Sequence, residues 1–166
     1  YSYGSIVINN TVNGKPVVYV ENQANLILNA AIGQVIIVRS FNITVQNSVL
    51  THTTVAVQVR QSNSCRIINN DLSNNFESVS VSDTWGTRII GNSMANTTYA
   101  IVFTTHVYGG IVSGNNIKNN YDGIEAWYSS NNLIFGNNMQ LSQRYGIYMS
   151  LSSENVFHHN NFMNTN

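Results

Sequence analysis

Three carboxylates are the residues of this 166-residue chain best placed to catalyse a reaction. Asp122 and Glu125 lie three residues apart, and Glu77 falls on the same sector of an internal repeat two units earlier. Carboxylates about 5 to 9.5 Å apart can flank and cleave a glycosidic bond, and two stacked strand units would separate Glu77 from Asp122 by about 9.6 Å. No third acid, catalytic histidine or arginine completes the group. The pattern therefore favours isolated, solvated acids on turns and predicts no catalytic residue.

The four histidines are candidates for a second kind of site, a metal centre. Metal ligands must converge on one point. His52 and His106 occupy different phases of the repeat, and adjacent strand residues such as His158 and His159 are expected to point to opposite faces. The single cysteine, Cys65, allows no intramolecular disulfide and is expected to be a buried, inert thiol. The sequence therefore predicts no metal site and no cofactor.

Aromatic residues recur once per repeat just ahead of a strand of the Gly-Ile type. This group contains Phe76, Tyr99, Tyr121 and Tyr145. A second group follows the same strand and contains Trp85, Tyr108, Trp127 and Tyr128. Rings stacked about 5 Å apart would stabilise a corner of the fold. A line of exposed rings could equally bind sugars or contact another protein, and the sequence leaves these three roles open.

The repeat that positions these residues is marked most clearly by asparagine. The marker returns with a period of about 22 residues, and an apolar residue follows two positions later. The members of this column are Asn47, Asn70, Asn92, Asn115, Asn137 and Asn160. A partial second column contains Asn74, Asn96, Asn119 and Asn164. A period that keeps polar and apolar columns in phase is typical of stacked, near-identical units.

Each repeat contains about three short runs of alternating apolar residues, separated by Asn, Ser, Thr, Gly and Asp, which predicts three strands and three turns. Three strands in about 22 residues describe one coil of a parallel β-solenoid, in which coils lie about 4.8 Å apart. Parallel crossovers are right-handed as a rule. We therefore predict an all-β, single-domain, right-handed parallel β-helix, with regular coils over residues 41–166. Residues 1–40 follow the repeat poorly and are predicted to form atypical coils or a cap.

Coil stacking also explains why asparagine is common and charge is scarce. An amide can donate to one neighbour and accept from the other, so asparagines can form a ladder. Like charges about 4.8 Å apart would repel by roughly 0.9 kcal/mol in water. Only 8% of the residues are charged and the net charge is zero, so no basic face for nucleic acid is expected. The longest apolar stretch is too short and too interrupted to span a bilayer.

Three runs resemble the parallel β-helix repeats of NosD-like surface and periplasmic proteins: Ile67-Ile-Asn-Asn-Asp-Leu72, Ile134-Phe-Gly-Asn-Asn-Met139 and Gly146-Ile-Tyr-Met149. The segments 10–19 and 33–38 are similar to parts of archaeal NosD-like surface proteins. The wider group includes carbohydrate-binding proteins and sugar hydrolases. The resemblance implies the β-helix fold and also suggests an accessory role in copper delivery, although no Met/His/Cys cluster is present to carry it.

Location and assembly are indicated by turns and by the last residues of the sequence. N-glycosylation sequons begin at Asn9, Asn42 and Asn96, and together with the solenoid they favour an extracellular or cell-surface location. The final residues, 156–166, form part of a regular coil with no capping segment after it. An open coil edge is expected to pair with another coil, from a longer protein or from a second copy.

The leading hypothesis is therefore a non-enzymatic extracellular structural or surface protein, with a filament of head-to-tail β-helices as one form. The alternative is a carbohydrate-binding or carbohydrate-processing β-helix module of a larger surface protein. The expected partners are accordingly another copy of the chain, the remainder of a longer protein, or glycans.

Overall fold

A computed structural model describes residues 4–29 and 31–165, and every regular element in that part of the chain is a β-strand. The strands form three sheets. Sheet 1 contains β1 (Thr11–Val12), β2 (Lys15–Glu21), β4 (Gln34–Val38), β6 (Val55–Arg60), β8 (Glu77–Trp85), β11 (Tyr99–Tyr108), β14 (Asp122–Trp127) and β17 (Tyr145–Ser150). Sheet 2 contains β10 (Ser93–Ala95), β13 (Asn116–Lys118), β16 (Asn138–Gln140) and β19 (Asn161–Met163). Sheet 3 contains β3 (Ile27–Leu28), β5 (Thr44–Gln46), β7 (Arg66–Ile68), β9 (Arg88–Ile90), β12 (Ile111–Ser113), β15 (Leu133–Phe135) and β18 (Val156–His158).

From β8 onward the chain visits sheet 1, sheet 3 and sheet 2 in turn and then returns to sheet 1, whereas the earlier coils alternate between strands of sheet 1 and sheet 3. Each strand pairs in parallel with its equivalent in the next coil, as in the pairs Val57–Val79 and Ile101–Ile124. The seven parallel strands of sheet 1 mark six steps from one coil to the next. The prediction of an all-β parallel solenoid is confirmed. No helix long and apolar enough to cross a membrane occurs among the residues described.

The core is a set of stacked apolar columns inside the coil. Alternate residues of each strand point inward, and one fully buried column runs through Val57, Val79, Ile101 and Ile124. Sheets 2 and 3 supply further columns, with members such as Ile117 and Ile89. Full burial of such a side chain contributes about 1.5 to 3 kcal/mol relative to leaving it exposed. The remaining residues of each strand face outward and are available to form a site.

A buried asparagine ladder runs along the coil and confirms the predicted role of this residue type. Each amide nitrogen donates to the amide oxygen of the asparagine in the next coil, at 2.9 to 3.1 Å. Each amide oxygen also accepts the backbone N–H of the asparagine one coil earlier. The members of this ladder are Asn70, Asn92, Asn115, Asn137 and Asn160.

Asn47 does not belong to the ladder, which corrects the sequence prediction. Ser48 occupies the ladder position, where its backbone N–H donates to the Asn70 amide oxygen at 3.0 Å. Asn47 is exposed at the neighbouring corner with a φ of 52°. Asn69 and Gly91 occupy the same corner in the following coils, with φ values of 54° and 66°. Asparagine and glycine both tolerate this left-handed conformation, so the sequence pattern at the corner resembles that of the ladder.

The N-terminal residues depart from the regular coil in two ways. β1 and β2 form an antiparallel hairpin, in which Val12 pairs with Lys15 across Asn13 and Gly14. Both turn residues have positive φ, the conformation of a tight primed hairpin turn. The first parallel step, from Val18 to Val35, is also shorter than the next step, from Val35 to Val57. The hairpin was not predicted from the sequence, although an Asn-Gly pair is the usual sequence signal for a two-residue hairpin turn.

Candidate functional site

Asp122 and Glu125 converge on a single guanidinium group, that of Arg144. Asp122 is fully buried at the start of β14, and its carboxylate accepts hydrogen bonds from Arg144 Nε at 3.1 Å, from Arg144 Nη2, and from the Tyr145 backbone N–H at 3.1 Å. Arg144 Nη2 also donates to Glu125 Oε1 at 2.6 Å. One guanidinium nitrogen therefore joins two carboxylates on the outer face of sheet 1.

The position of Arg144 depends on one additional residue in a turn. Three residues, 119–121, connect β13 to β14, whereas four residues, 141–144, connect the equivalent strands β16 and β17. Lys118 pairs with Gln140 before this turn and Asp122 pairs with Tyr145 after it, so the coil step is one residue longer after the turn than before it. Arg144 is the last residue of this longer turn, where its backbone N–H bonds to the Tyr121 carbonyl and its side chain reaches Asp122.

This group was not predicted from the sequence. Asp122 and Glu125 were expected to be solvated acids without an arginine, but Asp122 is 0% and Glu125 7% exposed. Arg144 lies 22 residues after Asp122 in the sequence. This equals the shorter coil step, the one that separates Lys118 from Gln140. That spacing could have indicated that Arg144 lies near Asp122. Because of the additional turn residue, however, the Arg144 backbone is opposite Tyr121 rather than opposite Asp122.

The electrostatics of the group distinguish its two carboxylates. Burial, followed by the nearby Asp122 carboxylate, raises the pKa of Glu125 above its ordinary value. The Trp127 side chain and the Arg144 charge oppose that shift. The hydrogen bond to Asp122 raises the pKa of Arg144, so the guanidinium stays charged. Glu125 is thus a partly desolvated carboxyl group at the edge of a permanent ion pair.

The first aromatic group forms a continuous line beside these charges. Phe76 and Tyr99 meet edge to face with ring centroids 5.5 Å apart, and Tyr99 and Tyr121 do so at 6.5 Å. The Arg144 guanidinium lies 5.0 Å from the ring centroids of both Tyr121 and Tyr145, a cation–π arrangement. Phe76, Tyr121 and Tyr145 are 38 to 49% exposed. The rings therefore pack on one another and are still accessible to solvent.

Small residues occupy the outward-facing part of sheet 1 between the aromatic groups. Ser80, Ser82 and Val102 face away from the core, yet each is at most 7% exposed because larger neighbours surround it. We refer to this strip, together with the flanking rings of Tyr121 and Tyr145, as the sheet 1 platform. No enclosed pocket occurs in the described part of the chain. The platform is suited to a ligand that lies along the surface.

The second aromatic group borders the other side of the platform. Trp85 and Tyr108 pair with ring centroids 6.1 Å apart, and His106 stacks on Tyr108 at 6.4 Å. His106 Nδ1 is also 3.0 Å from Asp83 Oδ1. Exposure is high at Trp85, at 62%, and moderate at Trp127, at 36%, while Tyr128 is also exposed. Tyr148 links the two groups, since its ring contacts those of Trp127 and Tyr145.

Glu77 does not join the charged group. It pairs with Tyr99, which in turn pairs with Asp122, so a tyrosine lies between the two acids in the register. The Asp122 carboxylate is buried and fully engaged by Arg144 and Tyr145. The geometry therefore does not assemble the acid pair that the spacing of Glu77 and Asp122 suggested.

The histidines and the cysteine are placed as follows. The expectation that His158 and His159 point to opposite faces is wrong, because His159 adopts a φ of 53° at a corner and its Nδ1 lies 2.7 Å from that of His158. His52 and His106 are exposed at other corners. Cys65 is fully buried, and burial raises the pKa of its thiol. Within residues 4–29 and 31–165, no three His, Cys, Asp or Glu side chains are grouped as metal ligands.

The three sequons all begin at turn residues with positive φ, from 54° to 57°. Asn9 is exposed. The Asn42 amide nitrogen donates to Asn25 Oδ1 at 2.7 Å, and the Asn96 amide nitrogen donates to Asn74 Oδ1 at 3.3 Å. Asn96 Oδ1 also accepts a hydrogen bond from Asn119. A glycan on Asn42 or Asn96 would have to replace these contacts, so Asn9 is the least encumbered of the three predicted sites.

Comparisons with known proteins agree with the fold. The enzymatically active domain of bacteriophage CBA120 tailspike protein 2 aligns with 87% of this chain at a TM-score of 0.63 and 13% identity. The chain spans 26% of the length of that domain. The Streptococcus pneumoniae surface protein and adhesin PfbA aligns with 88% of this chain and 63% of its own, at 15% identity and a TM-score of 0.40, which is too low to support an inference. No curated protein matches the sequence significantly.

The family model described as periplasmic copper-binding protein (NosD) matches residues 1–166. Among the described residues, no three His, Cys, Asp or Glu side chains are grouped so that they could hold a copper ion. The match to the family model covers all of the coils. The description of the family points to a location outside the cytoplasm. The chain belongs to the NosD family.

Proposed function

We propose that this chain is a carbohydrate-binding module of an extracellular or periplasmic protein, and that a glycan binds along the sheet 1 platform. The observation that carries the proposal is the line of exposed rings held in place by an ion pair whose acid, Asp122, is buried. Tyr121 and Tyr145 flank the Arg144 guanidinium at equal distances of 5.0 Å, and Asp122 anchors that guanidinium from the buried side. The rings are therefore ordered before any ligand arrives.

An ordered aromatic surface suits a sugar for physical reasons. A sugar ring has a flat C–H face that packs on an aromatic ring, and hydroxyl groups at its edge that seek hydrogen-bonding partners. Both kinds of group are present here, since the rings of Tyr121 and Tyr145 are 40% and 38% exposed and the Glu125 carboxylate lies beside them on Arg144. Preorganised side chains lose less conformational entropy on binding, which favours affinity.

Binding rather than hydrolysis is the proposed role. Glycoside cleavage needs two carboxylates on either side of the scissile bond, about 5 to 9.5 Å apart. Asp122 and Glu125 both contact Arg144 Nη2, so the guanidinium occupies the space where a glycosidic bond would have to lie. The lack of an enclosed pocket in the described residues supports the same proposal.

A glycan array followed by calorimetric titration tests the proposal. The wild-type protein should bind at least one glycan, and Tyr121→Ala or Tyr145→Ala should weaken that binding about tenfold through loss of ring packing. Phe135→Ala is a matched control, because Phe135 is a half-buried ring on sheet 3 that stacks on His158 at 5.0 Å. The proposal fails if no glycan binds, or if the control weakens binding as much as the platform variants do. Release of new reducing ends would show that the site is catalytic instead.

A role in assembly is a second candidate, supported by the edge formed by β18 and β19. These strands end their sheets, and Val156, Phe157, Phe162 and Met163 on them are 41 to 55% exposed. Such an edge can pair with a further coil, from more of the same polypeptide or from a second copy in a head-to-tail filament. Electron microscopy at high protein concentration tests the second arrangement, which dispersed monomers would contradict.

A further inference from the structure

We infer that the glycan recognised by the sheet 1 platform is uncharged or bears amino groups, and that Glu125 excludes polymers that carry carboxylates or sulfates. This inference rests on the proposed function and adds the chemical class of the ligand to it. It is carried by the distribution of charge on the strands that form the platform.

The platform is acidic although the chain as a whole is neutral. The strands β8, β11, β14 and β17 carry four of the seven acidic residues of the chain and no lysine or arginine. These acids are Glu77, Asp83, Asp122 and Glu125. Arg144, directly before β17, and Arg60, which donates a hydrogen bond to the platform residue Ser82, offset two of them, which leaves a formal charge of −2 (four acids less two arginines). An anionic polymer along this surface would meet net repulsion.

Among these acids, Glu125 is the one whose charge would act most directly on a bound ligand. It faces outward in the middle of β14, between Val102 and Tyr148 in the neighbouring coils. Its side chain is 9% exposed, so a ligand on the platform would remove the remaining water from it. A second negative charge brought to this partly desolvated position is screened little by salt, whereas a hydroxyl or ammonium group can donate a hydrogen bond to the carboxylate.

The charge of Asp122 is not available in the same way. Its carboxylate is fully buried, and both of its oxygens accept hydrogen bonds from Arg144, one of them also from the Tyr145 backbone, whereas Glu125 is bonded to Arg144 through Oε1 alone, at 2.6 Å. Asp122 and Arg144 therefore position the rings, while Glu125 determines which charges the platform tolerates. This division predicts that removing the charge of Glu125 alters selectivity without destroying the platform.

The experiment compares oligosaccharides of matched length that differ in charge. Wild-type protein is titrated with uncharged, amino-bearing and carboxylate-bearing oligomers, the set being chosen from an array that contains all three classes together with sulfated glycans. The titrations are repeated with Glu125→Gln and with Glu154→Gln. The second variant removes the same charge from an exposed turn residue outside the platform strands.

The expected result is that uncharged or amino-bearing glycans bind about tenfold or more tightly than anionic ones, as for like charges brought together at an interface. Glu125→Gln should narrow that preference, and Glu154→Gln should leave it unchanged. Anionic glycans that bind wild-type protein as tightly as uncharged ones would overturn the inference and leave the proposed function intact. If none of the classes binds, the proposed function itself fails.

Discussion

Asp122 and Arg144 form an ion pair across one coil step, and the buried partner is the acid. The Asp122 side chain is 0% exposed, whereas that of Arg144 is 40% exposed and lies between two tyrosine rings. The pair therefore links the interior of the coil to its aromatic surface. A change in either residue should affect both the stability of the coil and the order of the rings.

Arg144→Met should destabilise the protein because it leaves the Asp122 carboxylate buried without its partner. Loss of one member of a buried pair is strongly destabilising, and we expect a fall in Tm of roughly 5 to 10 °C. Adding Asp122→Asn to Arg144→Met should recover much of the loss, since no buried charge then remains. Arg88→Met, at an exposed position on sheet 3, is the control. Equal effects of the two single variants in thermal unfolding would contradict the assigned role of the pair.

The asparagine ladder should be sensitive to substitution at a central position. The Asn115 side chain makes four buried hydrogen bonds, to Ile89, to Asn137 and twice to Asn92, so Asn115→Ala should cost about 3 to 5 kcal/mol at about 1 kcal/mol per bond. Asn115→Asp should be worse at neutral pH, because it would bury an unpaired carboxylate charge facing two acceptors, the Ile89 carbonyl and the Asn137 amide oxygen. Urea denaturation measures both changes. Asn116→Ala, at the exposed neighbouring position, should stay within about 0.5 kcal/mol of wild type, and a loss comparable to that of Asn115→Ala would argue against the ladder.

Asn47 should behave as a corner residue. Asn47→Gly should be close to neutral in unfolding free energy, because glycine occupies the same corner at positions 91, 114 and 136 with positive φ. Asn47→Ala should cost about 1 to 2 kcal/mol, the penalty of a left-handed conformation for a residue with a β-carbon. Chemical denaturation separates the two outcomes. If Asn47→Gly were as harmful as Asn115→Ala, Asn47 would have to bond as a ladder member.

Glu125 should give stability a measurable dependence on pH. Its pKa in the folded protein is raised above the ordinary value of 4.5, chiefly by burial, so the folded state holds the proton more firmly than the unfolded chain. The resulting stabilisation is fully present below about pH 4.5 and is lost as the pH rises through the folded pKa. The difference in unfolding free energy between wild type and Glu125→Gln should therefore decline with rising pH. A difference that does not change with pH would contradict the raised pKa, and Glu154→Gln provides the control.

The period of the sequence was sufficient to predict the fold, because stacking places equivalent residues on top of one another and the pattern in one coil constrains the next. Individual positions were predicted less well where the backbone turns sharply. Asn47 was assigned to the ladder because asparagine suits both the ladder and the adjacent corner. His158 and His159 were expected on opposite faces, but the alternation of strand residues ends where His159 adopts positive φ.

The candidate site was harder to predict than the fold for a related reason. The acids and the aromatic residues follow the repeat and were identified from it, but Arg144 depends on a turn that is one residue longer than its equivalent. A prediction from the repeat period does not take one additional turn residue into account. In this protein the departure connects Asp122 and Glu125 and places a guanidinium between Tyr121 and Tyr145.

The longer turn at residues 141–144 has a consequence for how such a site can arise in evolution. A solenoid coil bonds only to its two neighbours, so one codon gained in a turn changes that turn without disturbing the register of the strands on either side. A single in-frame insertion that adds an arginine to a turn of a repetitive scaffold would thus be enough to place it beside an existing carboxylate. Irregular coil lengths in other solenoids mark the places where a search for new binding sites should begin.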